Sequence, residues 1–210
     1  MNYKYILQLV LLLIISNQNV TAQSQDSTSR FLNLFEEVDW KGLQIYSPRY
    51  DFTDNEFEGL QIPNEFHHYF DNLNFISYSL NDGGRIFAVY RFSINSNTIG
   101  LIVRNMSMYS ETAVSIILFD LANNISKSRF RLADSYGDGM WLFAEDAWLL
   151  DLNNDNLPDI VKRKNEWWED DNEKQHTKST FTAFQFDSVE FVPFETRIDT
   201  TKFKVFKWSY

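Results

Sequence analysis

Arg85-Ile86-Phe87-Ala88-Val89-Tyr90-Arg91-Phe92-Ser93-Ile94 runs into Asn95-Ser96-Asn97 and then into Thr98-Ile99-Gly100-Leu101-Ile102-Val103. Ile86, Ala88, Tyr90, Phe92 and Ile94 alternate with Arg85, Phe87, Val89, Arg91 and Ser93. A period of two puts successive side chains on opposite faces of a strand, here with one strongly apolar face. Asn95-Ser96-Asn97 is turn chemistry, and Ile99, Leu101 and Val103 continue as the returning strand. Asn81-Asp82-Gly83-Gly84 opens the pair. This hairpin sets the reading of the rest of the chain.

Downstream the pattern repeats. Residues 113–121 are nearly continuous apolar and β-branched, as expected of a strand covered on both faces. Asn123-Asn124 breaks that run, and residues 126–132 carry Lys127, Arg129 and Arg131 on what reads as an edge strand. Further strands are expected over 141–151, 159–164, 177–186, 189–194 and 201–208. About nine short strands with turn signals roughly every ten residues describe a mainly β fold, an antiparallel sandwich or meander. Asn replaces Gly at most turns, because it tolerates the left-handed conformation better than other residues with a side chain. Upstream, Phe31, Leu34, Phe35 and Val38 have helical spacing over 29–38, and Pro63-Asn64 can open a helical turn over 65–70. One or two short N-terminal helices are therefore expected against the sheet. Residues 31–210 read as a single domain.

Residues 1–22 have the grammar of a secretory signal peptide: Lys4, an apolar run over 6–15, and Val20-Thr21-Ala22 before a cut at Gln23. The run is about half the roughly twenty residues a spanning helix needs, so no membrane span is expected after cleavage. Residues 23–30 are polar and read as a flexible leader. The expected address is secreted or periplasmic. The chain has no cysteine, so an exported fold must rest on its core, or on a bound ion, without disulfides. A formal net charge of -10 argues against nucleic acid, whose phosphates need a basic face.

One loop carries chemistry. Asp151-Leu152-Asn153-Asn154-Asp155-Asn156-Leu157-Pro158-Asp159 places side-chain oxygens at positions 1, 3, 5 and 9, and the Leu157 carbonyl at position 7 can add a backbone ligand. Ca²⁺ takes six to eight hard oxygens, and clustered carboxylates repel one another unless a cation sits among them. Lys162 stands where an EF-hand needs a bidentate Glu, and the flanks are strand-like, so this is no EF-hand. The alternative is an Asp/Asn-rich turn held by its own hydrogen bonds.

The apolar strand, the D-x-N-x-D-x-x-x-D loop and the second apolar strand resemble the calcium loop of FG-GAP or VCBS repeats of integrin-type β-propellers. The resemblance covers about residues 141–195, one repeat, and lacks the Phe-Gly and Gly-Ala-Pro elements. It implies that Asp151, Asn153, Asp155, Leu157 (through its carbonyl) and Asp159 bind Ca²⁺. No second copy follows, so the ion loop is carried over and the propeller is not.

Weaker signals surround it. Asp134 or Asp138 could complete the ion shell, though a plain Gly-containing hairpin turn accounts for Ala133-Asp134-Ser135-Tyr136-Gly137-Asp138-Gly139. Trp167 and Trp168 beside Glu169, Asp170 and Asp171 would suit sugar stacking, against a core position for at least one of them. His67-His68 lack metal-ligand spacing. Asn105-Met106-Ser107 and Asn124-Ile125-Ser126 match glycosylation acceptors. Glu145-Asp146 could serve as an acid/base pair only across a cleft. Nucleophile elbows, zincin motifs and phosphate loops are missing. The functional expectation is an exported, non-enzymatic binding or structural module stabilised by Ca²⁺, its partner an unknown protein or glycan. The alternatives are a Ca²⁺-dependent carbohydrate-binding module and an extracellular polysaccharide hydrolase.

Overall fold

The computed structural model describes residues 26–46, 57–74, 76, 80, 83–106, 113–138, 141–170 and 172–203. The expected signal peptide and the expected strand beyond Phe203 lie outside them. Among the described residues eleven strands form one mainly antiparallel sheet: β1 Glu36–Glu37, β2 Gln44–Tyr46, β3 Leu60–Gln61, β4 Arg85–Ser93, β5 Thr98–Met106, β6 Ala113–Asp120, β7 Ile125–Asp138, β8 Trp141–Leu150, β9 Asp159–Glu169, β10 Gln175–Phe186 and β11 Phe191–Pro193. From β4 to β11 it is a meander in sequence order. β1, the parallel member, pairs with β4. β3 also pairs with β4, and β2 pairs with β8. Among the described residues no helix is long and apolar enough to cross a membrane.

The long strand β7 turns the meander back on itself. Its first part pairs with β6, ending at Ala133 opposite Val114, and its second part pairs with β8, starting at Asp134 opposite Glu145. β2 takes over the same edge of β8 where β7 leaves it, with Ile45 opposite Ala147. The two halves of the sheet share one core, in which Phe92, Ile102, Ile116 and Leu118 meet Ala147, Leu149, Ile160 and Phe186. A second core covers the other face of the first half, where Phe31, Phe35, Phe66, Tyr69 and Phe70 pack on Ile86, Leu101, Ile117 and Phe119. β6 lies between the two cores and is buried at every position, which is why its sequence is apolar without alternation.

The apolar face expected of β4 is split. The register shifts between Ala88 and Tyr90, leaving Val89 as a bulge. Ile86 and Ala88 face the helical layer, while Phe92 and Ile94 face the inter-sheet core. An extra residue turns all later side chains over, and both faces of this strand have a core to fill. Gly100 stands opposite Phe92. A Cβ there would come within 2.6 Å of the Phe92 ring, so the glycine gives that ring its space.

Three expectations are corrected. The helix expected over 29–38 runs instead over 26–32, so residues 26–30 are helical and not part of a flexible leader. Thr28 is buried, with its hydroxyl 3.0 Å from that of Tyr69. Pairing with β4 draws Glu36 and Glu37 into a strand, and the Val38 amide donates to the Arg91 carbonyl, so tertiary bonding overrides helical spacing. The strand with Lys127, Arg129 and Arg131 is central rather than an edge. Its cations are answered from neighbouring strands: Lys127 by Asp120, Arg129 by the Ser115 hydroxyl, and Arg131 by Glu145. At the C-terminal end, residues 200–202 form a 3₁₀ turn in place of a strand start. The turn expected over 65–70 is likewise 3₁₀, spanning Asn64–Phe70.

Candidate functional site

The acidic loop joins two paired strands. β8 ends at Leu150, directly opposite the first residue of β9, Asp159, so residues 151–158 close a hairpin. Asn154 and Asn156 have φ of 63° and 62°, the left-handed conformation that Asn accepts at low cost. The side chains fold onto the loop's own backbone. Asp151 Oδ1 accepts from the Asp155 amide at 3.1 Å and Oδ2 from the Asn156 amide at 3.2 Å. Asp155 Oδ1 accepts from the Leu157 amide at 2.7 Å, and its Oδ2 accepts from the Asn153 side-chain amide at 2.9 Å. Leu157 packs its side chain against the inter-sheet core. Lys41, on the segment leading into β2, donates to Asn156 Oδ1 at 3.2 Å and lies 3.8 Å from Asp151 Oδ2. Among the described residues no group of three or more His, Cys, Asp or Glu side chains converges as a metal site.

Asp159 differs from the other two acids. It is 1% exposed. Its Oδ2 accepts from the Leu152 amide at 2.8 Å, whereas the buried Oδ1 has no hydrogen-bond partner. Burial pushes this carboxyl above the usual carboxylate range; the Leu152 and Asn153 amides pull it down, and the charges of Asp155 and Asp151 push it up again. A buried acceptor left unmatched is costly, and repulsion between carboxylates adds to that cost. The loop thus contains one buried oxygen that the protein itself does not satisfy.

A cleft of about 550 Å³ adjoins the loop, with Trp148 and Phe203 at its apolar wall and Asp151, Arg197 and Lys202 among its polar members. Gln44, also on this wall, keeps Nε2 buried and without a partner. Behind Trp148, Arg163 and Asp146 form a buried bidentate pair, Nε to Oδ1 at 2.9 Å and Nη2 to Oδ2. Arg163 also lies over the Trp148 ring, 5.5 Å from its centre.

The other sequence candidates fall elsewhere. Asp134 is paired with Arg131 beside Glu145, so it does not join the ion loop. The Asp138 side chain and Gly139 lie outside the described residues. Glu145 and Asp146 are consecutive on β8 and point to opposite faces. Glu145 is held by Arg131 and Lys162 and Asp146 by Arg163, an arrangement unlike an acid/base pair across a cleft. Trp167 and Trp168 are likewise on opposite faces of β9 and cannot form one platform. Asp170 caps the β9–β10 turn, accepting from the Asn172 and Lys174 amides, with His176 Nε2 at 2.9 Å. Asp171 lies outside the described residues. His67 and His68 bond to the Ile62 and Glu65 carbonyls. Asn105 is buried, which closes its acceptor motif in the folded chain.

The ion-pair layer of Arg131, Asp134, Glu145 and Lys162 was not read from the sequence, nor was the Asp146–Arg163 pair. Asp146 and Arg163 stand directly opposite each other on β8 and β9, whereas in the layer Asp134 faces Glu145 and Lys162 faces Ala147, so its pairs run diagonally and both features required the register itself. Comparisons with protein-family models, with curated proteins and with solved structures find no match.

Proposed function

We propose that this chain is an exported, non-enzymatic binding or structural module whose 151–159 loop takes up a hard divalent cation, Ca²⁺, to hold the β8–β9 hairpin. The observation that carries the reading is Asp159 Oδ1, buried and unpartnered beside the charges of Asp151 and Asp155. Asp151, Asn153, Asp155 and Asp159, with the Leu157 carbonyl, offer the all-oxygen donor set that Ca²⁺ favours. The cation would stand in for two side-chain partners these acids now have, the neutral Asn153 amide donor and the Lys41 ammonium. Its chemistry there is electrostatic: it neutralises the loop and lets its acids stay ionised together. The likeness of the β8–loop–β9 segment to an FG-GAP or VCBS calcium loop supports the same ligands.

A second reading, a cation-free hairpin, is favoured by the capping of Asp151 and Asp155 onto main-chain amides. Thermal unfolding in EDTA and in 10 mM Ca²⁺ separates the two. With a Kd of about 10⁻⁴–10⁻³ M, typical of extracellular modules, 10 mM Ca²⁺ adds about 1.4–2.7 kcal/mol. At about 2–4 °C per kcal/mol for a domain of this size, Tm rises by roughly 3–11 °C. Asp155→Ala removes most of that rise. Equal Tm in both buffers supports the cation-free hairpin and rejects the first reading.

A further inference from the structure

The far end of the same hairpin carries a row of aromatic rings, two of them exposed and three half-buried. Antiparallel register sets Tyr136 opposite Phe143, and Trp141 opposite Trp168, which is itself opposite His176. Directly paired residues share a face, so these five rings lie on one side of β7–β10. Tyr136 is 47% exposed and Trp141 37%. The Trp141 ring centre lies 5.3 Å from that of Phe143 and 6.5 Å from that of Tyr136, and Trp168 stacks on His176 at 5.3 Å. Lys164 extends over Trp141 and Phe143 and pairs with Glu166 at 2.8 Å.

Further along this face, past the Glu145–Lys162 ion pair, come Ala147, Leu149 and Ile160 of the inter-sheet core. The aromatic row is therefore the part of an otherwise buried face that the second half-sheet does not cover. Large rings left in water on a rigid sheet are a costly use of apolar area, and such positions mark binding surfaces.

We infer that this face binds a neutral polysaccharide, with pyranose rings laid on Trp141, Trp168 and Tyr136. The choice of occupant follows from charge and texture. The chain carries a formal net charge of -10, which disfavours polyuronates and other acidic polymers. The cation on the row, Lys164, is already matched by Glu166, so the row presents no net charge to attract an anion. Tyr136, Trp141 and Phe143 are tilted against one another, by 50° between Trp141 and Phe143, beside the stacked Trp168 and His176, and the row is interleaved with Lys164 and Glu166. That mixture suits a ligand whose apolar C–H faces alternate with hydroxyls better than it suits a dry protein surface. The inference extends the binding-module reading without its cation. Trp141 and Asp151 stand ten positions apart on one hairpin arm, about 30 Å at roughly 3.3 Å per residue.

The test is affinity electrophoresis of the purified chain in native gels containing a β-glucan, a xylan, a mannan or soluble starch. Polygalacturonate serves as the acidic control and a non-binding protein as the mobility reference. The expected result is retardation by at least one neutral polymer, unchanged in EDTA and in Asp155→Ala. Trp141→Ala and Trp168→Ala should each weaken it at least tenfold and together abolish it, with Trp167→Ala unaffected. Circular dichroism checks that each variant is folded, and Tyr136→Ala stands in for any that is not. Mobility equal to the reference in all four neutral gels overturns the inference. So does retardation that survives the double variant, and so does concentration-dependent self-association that the double variant abolishes, which would make the row an interface between copies of the chain. Loss of binding in EDTA alone would tie the glycan to the cation loop and overturn the placement on this row.

Discussion

Removing Asp146 should cost this protein far more than removing its partner Arg163, although the two form one ion pair. Arg163 is 1% exposed and its guanidinium is held by both Asp146 oxygens. In Asp146→Ala a guanidinium stays buried with no counter-charge, and it cannot shed its proton. Breaking a buried pair in this way costs about 3–5 kcal/mol, a large share of the 5–15 kcal/mol that holds a typical domain. In Arg163→Met the remaining carboxyl has an escape. Burial already pushes Asp146 upward against the pull of Arg163, and without Arg163 it can take up a proton. A carboxyl whose folded pKa lies above its unfolded one favours folding at low pH and loses that contribution as pH rises through the folded value. Arg163→Met should therefore be mild near pH 4–5 and grow worse toward pH 8, by up to about 1.4 kcal/mol per pH unit. The loss from Asp146→Ala should not grow with pH, because the parent's own raised Asp146 contributes less as pH rises. The double variant Asp146→Leu/Arg163→Met, which leaves no buried charge, should lie within about 1–2 kcal/mol of the parent or above it. Urea unfolding followed by tryptophan fluorescence at pH 5 and pH 8 reads all three. A cost below 1 kcal/mol for Asp146→Ala, or a double variant as unstable as the sum of the singles, would refute the reasoning.

Other outcomes follow from neighbouring parts of the fold. Phe31 is fully buried among the rings of Phe35, Phe66, Tyr69, Phe70 and Phe119, so Phe31→Ala should cost about 3–5 kcal/mol in chemical denaturation and loosen the helical layer. Asp120 closes the β6–β7 turn; Lys127 at 2.6 Å and the Asn123 and Ala122 amides hold its carboxyl well below the usual carboxylate range. Its contribution is complete above the unfolded value near 3.9 and is lost as pH falls toward the folded one, so Asp120→Asn should cost about 1–3 kcal/mol at pH 7 and progressively less below pH 4, as measured by denaturation across pH. Lys41→Met removes the cation nearest Asp151, and Ca²⁺ affinity measured by dialysis should rise about two- to fivefold, the scale of one exposed ion pair.

The strand pattern was legible in the sequence because both alternation and its absence have local causes. β5, β6, β8 and β10 follow their apolar runs closely. Val89 shows where that legibility ends, since a bulge leaves no mark in composition and still turns Phe92 and Ile94 to another core. The helix misplaced over 29–38 fails for a related reason: a parallel partner far along the chain, β4, claims Glu36 and Glu37. At the loop, the spacing of Asp151, Asn153, Asp155 and Asp159 was readable, as was the use of Asn for left-handed turn positions, which Asn154 and Asn156 occupy. That Asp159 is the buried, unpartnered member required the paired strands beneath it. Trp167 and Trp168 looked like one feature because they are adjacent. Pleating separates them and brings Trp168 beside Trp141, twenty-seven positions earlier.

Flow dialysis of ⁴⁵Ca²⁺ against the purified chain and its Asp159→Asn variant tests the central claim most directly. The variant keeps an oxygen for the Leu152 amide and loses only the charge of the unpartnered carboxyl. The account predicts one Ca²⁺ per chain with a Kd of about 10⁻⁴–10⁻³ M, at least tenfold weaker in Asp159→Asn, and a variant no less stable than the parent in EDTA. No saturable binding up to 10 mM, or binding that Asp159→Asn leaves unchanged, would contradict it.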